Sequence, residues 1–172
     1  MKYKYVIGID PAFRKGGFGV CVGDFEKKEL HFVQCQSFVD FWVFGLPIFC
    51  CPPQDIKGNN FMFVVENSNL QNESFDLKGS TPVVARKARN VGTNQAASQI
   101  CVDFLKFYLT EKHVLDISPA QKGIKWNKLQ FAQILKQEKW AIIGSGTITQ
   151  DMIDAAKLVI NSPQYISMYH NG

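Results

Sequence analysis

Four acidic residues stand at positions where a carboxylate can do chemistry. Asp10 and Glu66 each end a short apolar stretch, and Asp151 and Asp154 are three residues apart in a stretch with helical spacing. Residues three apart on a helix are neighbours, so these two aspartates share one side of it. If all four carboxylates converge, they cannot stay fully ionised without a cation. The sequence therefore predicts a cation site built from oxygen ligands.

The ligand set predicts the kind of ion and the kind of reaction. Carboxylates without a cysteine or histidine partner select a hard ion such as Mg²⁺, for which Mn²⁺ can substitute. Two such ions about 4 Å apart can hold the attacking and the leaving oxygen of an in-line displacement at phosphorus. The predicted reaction is metal-dependent hydrolysis of a phosphodiester. A simpler interpretation stays open for single positions, since an Asp-Pro pair such as Asp10-Pro11 opens turns and acids such as Asp151 are common at helix starts.

The elements that must position these acids begin with strands. β-branched and aromatic residues predict strands at residues 3–10, 18–22, 29–36, 61–65 and 114–117. The first three follow one another through short turns, which is typical of an antiparallel meander. The run from residue 61 to 65 is fully apolar, as expected for a central strand. We therefore expect an α/β fold with a mixed five-stranded sheet, antiparallel in its first three strands and flanked by helices.

Apolar residues at helical spacing predict three helices. The first spans residues 93–109. The second begins at a capping box of Asn127 and Gln130. The third has the same capping spacing at Thr147 and Gln150 and runs to about residue 160. The polar and basic stretch of residues 71–90 is expected to be a long loop.

The composition is that of a folded domain with a mildly basic surface. A chain of 172 residues suits a single domain over residues 1–172, and 46% hydrophobic with 20% charged residues excludes a disordered chain. The net charge of +4 permits a polyanion as partner. The five cysteines form no Cys-x-x-Cys pair, which favours a reducing compartment over a disulfide framework.

Neither the start of the chain nor its most apolar segment has the features of a membrane signal. Asp10 cuts the first apolar run short of a signal peptide. The apolar segment of residues 38–51 falls short of the roughly 20 residues that a spanning helix needs. We interpret it as core or as a partner-facing surface. We expect no membrane association and a cytoplasmic location, in a bacterial cell or a virus-infected host.

The order of the acidic motifs resembles that of a known superfamily. An aspartate on the first of three strands, a glutamate ending the fourth strand and a late helix with Asp-x-x-Asp together resemble the ribonuclease H-like superfamily, and within it the RuvC-like Holliday junction resolvases. The resemblance covers nearly the whole chain. Its segments are Ile7-Gly8-Ile9-Asp10-Pro11, Val64-Val65-Glu66, the helix near residues 91–102, and Asp151-Met152-Ile153-Asp154-Ala155-Ala156. The chain departs from the family at Ala12-Phe13, where glycine usually follows the Asp-Pro pair.

The resemblance implies a homodimer with a ribonuclease H-like fold that binds a four-way DNA junction and nicks two strands symmetrically. It implies Mg²⁺ held by the four acids named above. It also implies lysines near the scissile phosphate, for which Lys122 and Lys128 are the candidates and Lys125 a substitute for either. Phe75 is the candidate for an aromatic that stacks on junction bases. Phosphate contacts are expected from basic residues at Arg14, Lys15, Lys78, Arg86, Lys87, Arg89 and Lys122.

Three alternatives lie beside the resolvase interpretation. A nuclease of the same fold can act on RNA–DNA hybrids, flaps or other branched DNA. Sugar kinases and actin-like ATPases share the opening strand, aspartate and hairpin, but they need a second lobe that 172 residues cannot supply. A non-catalytic DNA-binding protein would have no use for acids at all four positions.

Overall fold

The computed structural model describes residues 3–11, 18–35, 38–40, 42–43, 60–70, 80–109, 111–144 and 146–170. Four residues predicted to contact DNA lie outside these ranges, namely Arg14, Lys15, Phe75 and Lys78. Most of the apolar segment of residues 38–51 also lies outside them. Its Trp42 is described, and its ring packs edge-on against Phe104 and Tyr108.

A mixed sheet forms the centre of the α/β fold. Within the described ranges it has six strands in the spatial order β5-β4-β1-β2-β3-β6. The strands are β1 (Tyr5–Asp10), β2 (Phe18–Asp24), β3 (Glu29–Cys35), β4 (Phe61–Glu66), β5 (Val114–Ile117) and β6 (Ala141–Ile143). The predicted antiparallel meander of β1, β2 and β3 is confirmed. β4 joins β1 in parallel, and β5 joins β4 in parallel.

The predicted number of five strands is wrong, because β6 adds a sixth. β6 pairs in parallel with β3 and has only three residues, all of them exposed. A strand that short and that exposed has neither the length nor the buried face from which sequence patterns identify strands.

Five helices accompany the sheet in the part of the chain that the structure describes, beside shorter helical turns. They are α1 (Thr81–Leu109), α2 (Pro119–Lys122), α3 (Lys128–Glu138), α4 (Gln150–Ile160) and α5 (Ser162–His170). None of the described helices has the length and apolar character needed to cross a membrane.

Two predicted helix starts need correction, and one is confirmed. α1 begins at Thr81, so residues 81–90 are helix and not loop. Ala, Arg and Lys favour helix without needing a buried stripe, which is why the hydrophobic pattern missed this part. α4 is capped by Thr149, whose hydroxyl accepts from Met152 N, and not by Thr147. The capping box at the start of α3 is confirmed, with both of its hydrogen bonds formed.

The two faces of the sheet carry different helices. Side chains alternate between faces along a strand, so Ile7 and Ile9 of β1 join the core under α1, while Val6 joins the core under α4. Gly8 shares the face of Val6, and a Cβ added there would lie 2.2 Å from the carbonyl oxygen of Ala155 in α4. Glycine at this position therefore lets α4 lie directly on the strand backbone.

Candidate metal centre

Two of the predicted acids lie side by side at one edge of the sheet and on one face. β1 and β4 are parallel neighbours, with Ile9 paired to Val65, so their carboxyl ends meet at the same edge. Asp10 follows Ile9 and Glu66 follows Val65, and each therefore points to the face opposite its predecessor. That is the face on which α4 packs. The parallel pairing of β1 with β4, with an acid one residue beyond the last pair on each strand, therefore brings Asp10 and Glu66 together.

α4 brings a third carboxylate to the same place. Nine of its eleven residues are buried, among them Asp154, which is 0% exposed. A buried ionised carboxylate is costly unless cations or hydrogen-bond donors compensate it. Gln150 Nε2 donates to Asp154 Oδ1 at 3.1 Å. Asp154 Oδ2 is also buried, and within the described residues it forms an ion pair with Lys125 Nζ at 2.9 Å whose angles are not those of a hydrogen bond.

The ammonium group of Lys122 lies among the three carboxylates. It donates to Asp10 Oδ2 at 3.4 Å and to Glu66 Oε2, and it is 3.9 Å from Asp154 Oδ2. Its side chain is only 3% exposed. The residue is held there by the single-turn helix α2, which follows β5 and starts with a capping box of Ser118 and Gln121. The predicted lysine after the fifth strand is therefore part of the acidic cluster.

Burial and charge shift the protonation equilibria of this cluster. Burial raises the pKa of Asp10 to about 6, with Glu66 and Asp154 adding to the rise and Lys122 opposing it. Burial would lower the pKa of Lys122, but the three surrounding carboxylates outweigh it and raise that pKa above its ordinary value. Lys122 is therefore a permanent positive charge at neutral pH, while Asp10 holds its proton more tightly than a surface aspartate does.

The donor set fits a hard divalent cation. Three carboxylates from β1, β4 and α4 supply only oxygen, and two ammonium groups, those of Lys122 and Lys125, already lie against them. In the described part of the chain, however, no three or more acidic, histidine or cysteine side chains are already arranged to hold a metal ion. The Lys122 ammonium separates the carboxylates and takes the central position itself.

Asp151, the fourth predicted ligand, lies at the same edge but is not in contact with the other three acids in any interaction found among the described residues. It is half-buried in the first turn of α4. Its backbone and Cβ lie against Gly19 of β2, the residue paired with Asp10. Asp151 is thus one strand away from Asp10.

The two other predicted lysines differ in their relation to the cluster. Lys125 Nζ is 2.9 Å from Asp154 Oδ2, although its side chain is 61% exposed. Lys128 is exposed at the first position of α3, and no described contact joins it to the acids. The structure therefore brings Lys122 and Lys125 to the site, and not Lys128.

Sequence reasoning missed two residues of α4 that hold the Lys125 segment in place. Gln150 Nε2 donates to the carbonyl of Trp126 at 2.9 Å as well as to Asp154. Lys157 is buried, donates to the carbonyl of Ile124, and places its ammonium 5.2 Å from the centre of the Trp126 ring. Burial lowers the pKa of Lys157. Their spacing from Asp154, four residues before it and three after it, puts all three on one helix face and was the available signal.

Basic residues of α1 extend past the same edge of the sheet. Asn69, three residues after Glu66, donates to Gln95 O at 2.7 Å, which places the middle of α1 beside the carboxyl end of β4. Arg86, Lys87 and Arg89 are exposed on the preceding turns. At 1.5 Å per residue, Arg86 is about 14 Å beyond Gln95 along the helix. These three predicted DNA contacts therefore lie outward from the edge that carries the acids.

A comparison of the chain with protein-family models, with curated protein sequences and with solved structures finds no match. The chemistry of the site therefore has to be deduced from its own residues.

Proposed function

We propose that this protein is a metal-dependent nuclease with a ribonuclease H-like fold that resolves four-way DNA junctions. The proposal depends above all on the meeting of Asp10, Glu66 and Asp154 on one face of one sheet edge, where the carboxylate of Asp154 is fully buried. Residues so distant in sequence converge at a cost in desolvation, which a bound cation offsets.

The topology supports the fold part of the proposal. An antiparallel meander extended by parallel β4 and β5, with the first acid on β1 and the second ending β4, agrees with the order of elements in ribonuclease H-like proteins. β6 is an addition at the far edge, next to β3. It lies at the opposite end of the sheet from β5 and leaves the acidic edge unchanged.

The three carboxylates are the residues that would hold Mg²⁺ or Mn²⁺, with Asp151 as a fourth candidate. When bound, such ions supply a nucleophilic water and stabilise the charge that develops at phosphorus. The chain itself supplies two ammonium groups, Lys122 and Lys125, to offset the negative charge of the phosphate. The Lys125 side chain reaches into solvent from the site, where a nucleic acid backbone is accessible to it.

Substrate binding is assigned to the exposed half of α1. Arg86, Lys87 and Arg89 present positive charge beyond the acidic edge, so a DNA arm that contacts them can place its backbone at the carboxylates. A homodimer would present two such sites, as symmetrical nicking of a four-way junction requires. The same geometry serves RNA–DNA hybrids, flaps and other branched DNA, so the substrate has to be tested directly.

The experiment compares Mg²⁺-dependent cleavage of a mobile four-way junction, a flap and an RNA–DNA hybrid by the full chain. We expect paired symmetrical nicks in the junction. Asp10→Asn and Glu66→Gln should each lower the cleavage rate by at least about 10²-fold while junction binding persists, since the ligands for the cation are lost and the basic surface is not.

Asp116→Asn is the matched control, since it changes a carboxylate at the same sheet edge on the opposite face. Asp116 pairs with Lys106 of α1 at 3.3 Å and not with the acidic cluster. Its variant should cleave at nearly the wild-type rate. Full activity in Asp10→Asn, or equal loss in Asp116→Asn, would contradict the metal-site assignment. Preference for the hybrid or the flap would replace the junction as substrate and leave the chemistry in place.

A further inference from the structure

We propose that Lys122 acts as an internal cation that occupies the metal position in the metal-free protein, so that a divalent ion must displace its ammonium to bind. This inference rests on the proposed metal site and concerns how that site is regulated. It makes Lys122 a competitor for the metal as well as a charge near the phosphate.

The inference depends on the position of the Lys122 ammonium. Lys122 Nζ lies 3.4 Å from Asp10 Oδ2 and 3.9 Å from Asp154 Oδ2, and it hydrogen-bonds Glu66. It therefore stands where the carboxylates of three separate elements point. A divalent ion binds carboxylate oxygens at about 2.1 Å, which requires it to stand in the same space. The two positive groups cannot share that space, because they exclude and repel each other.

The ammonium satisfies the cluster only in part. Its contact with Asp154 Oδ2 is long, at 3.9 Å, and that buried oxygen is paired more closely with the ammonium of Lys125, at 2.9 Å. One buried positive charge also faces three carboxylates, and the second ammonium, that of Lys125, belongs to a largely exposed side chain. A divalent ion would add charge and would bring a ligand bond to Asp154 Oδ2, an oxygen that otherwise pairs with the largely exposed Lys125. These two differences allow the divalent ion to displace the ammonium of Lys122 when the concentration of the ion is high enough.

Three features of its surroundings allow the ammonium of Lys122 to move out of the cluster. Its charge is at the end of a flexible four-carbon stem, so side-chain rotation suffices to move it. It is the last residue of a single-turn helix, and the following Gly123 is exposed. Asp10 and Glu66 keep side-chain exposures of 13% and 15%, so the cluster opens to solvent on their side. Lys122 can therefore withdraw without unfolding the elements that carry the acids.

The test is a Mn²⁺ titration of the full chain by calorimetry, with no nucleic acid present. Lys122→Met keeps the apolar stem and removes the competing charge, so we expect it to bind Mn²⁺ at least about tenfold more tightly than the wild type, equivalent to about 1.4 kcal/mol. Lys128→Met, at an exposed lysine without contact to the acids, should match the wild type. Equal or weaker binding by Lys122→Met, with the wild type binding, would overturn the inference alone. Absence of Mn²⁺ binding in both proteins would instead remove the proposed metal-dependent function.

A second measurement needs no variant and so holds even if Lys122→Met fails to fold. An amine-modifying reagent should leave Lys122 protected in the metal-free wild type, because its side chain is 3% exposed. Saturating Mg²⁺ should make it reactive, as read by mass spectrometry, while NaCl of equal ionic strength should not. Lys128 should react equally under all conditions. Continued protection of Lys122 at saturating Mg²⁺ would contradict displacement.

Discussion

α4 and α1 both pack against the sheet, on opposite faces, but they differ in how much of each helix is buried. α4 buries nine of its eleven residues, including a carboxylate and an ammonium. α1 buries five of its 29 residues, and all five lie from Ser98 onward. The short helix therefore holds charged groups in fixed positions inside the protein, while the first half of the long helix offers its charges to the solvent.

The difference between the two helices separates two tasks that the proposed nuclease would have to combine. Groups that bind a cation must keep their geometry, and close packing against a glycine-containing sheet gives α4 that rigidity. Groups that attract a long polyanion depend less on exact placement than on being exposed and extending away from the protein surface. The projecting turns of α1 meet both of these requirements. Four predictions test this contrast.

The largest expected effect is on stability, at the contact between α4 and β1. Gly8→Ala would put a methyl group 2.2 Å from the backbone carbonyl of Ala155, which no side-chain rotation can relieve. We expect a loss of unfolding free energy on the order of 3 kcal/mol, measured by denaturant titration. A loss close to zero would mean that α4 is not held against the strand as described.

The next effect concerns the pH dependence of the metal-free protein. The folded pKa of Asp10, about 6, lies above its ordinary value of 3.8, so folding binds a proton at this carboxyl. The resulting stabilisation is complete below pH 3.8 and is lost as the pH rises through about 6. In the wild type we expect the unfolding free energy to decrease by an amount on the order of 2 kcal/mol between pH 4 and pH 7. Asp10→Asn should remove this decrease. Asp103→Asn, at an exposed acid of α1, should leave the decrease unchanged.

The basic turns of α1 should affect binding and not folding. Replacing Arg86, Lys87 and Arg89 by alanine should weaken junction binding roughly tenfold or more and reduce the slope of log affinity against log salt by about 2 to 3. The unfolding free energy should stay within about 0.5 kcal/mol, since the three side chains are exposed. Alanine at the exposed Lys27, Lys112 and Lys136 removes the same number of charges and is the control for net charge. A salt slope that changes as much in the control would show that total charge, and not α1, governs binding.

The smallest effect has the opposite sign to the first. Gly92 lies within α1, is exposed, and has open space where a Cβ would be. Gly92→Ala should therefore raise the unfolding free energy by up to about 1 kcal/mol, because alanine favours helix over glycine. Thermal unfolding measures it directly. A destabilisation would mean that the exposed half of α1 has a partner on that side.

The sequence predicted the site better where the site depends on strands than where it depends on helices. Asp10 and Glu66 each end a buried strand, so alternation predicts their face relative to the apolar residue before them, whereas their convergence also requires the parallel pairing of β1 with β4 that the structure shows. The spacing of Asp151 and Asp154 predicted a shared helix side correctly, but not that only Asp154 faces the other acids. That distinction depends on how α4 is rotated about its axis, which close packing at Gly8 and Gly19 sets.

Other parts of the fold carried no local signal. The first turns of α1 contain no buried residue, so no buried stripe marks them in the sequence. β6 pairs in parallel with a strand more than a hundred residues earlier, a contact that no local pattern encodes. The central place of Lys122 required the capping box of α2 to be recognised at Ser118 and Gln121, a four-residue helix below the length at which periodicity is informative.

Asp10 lies on the first strand, whereas Asp154 lies on a helix that follows β1 through β6 in chain order. Domains emerge from the ribosome with their N-terminal part first, so a nascent chain that has completed the sheet still lacks the third carboxylate. The proposed metal centre would then be completed late in synthesis, when α4 docks, and prematurely terminated chains would lack it.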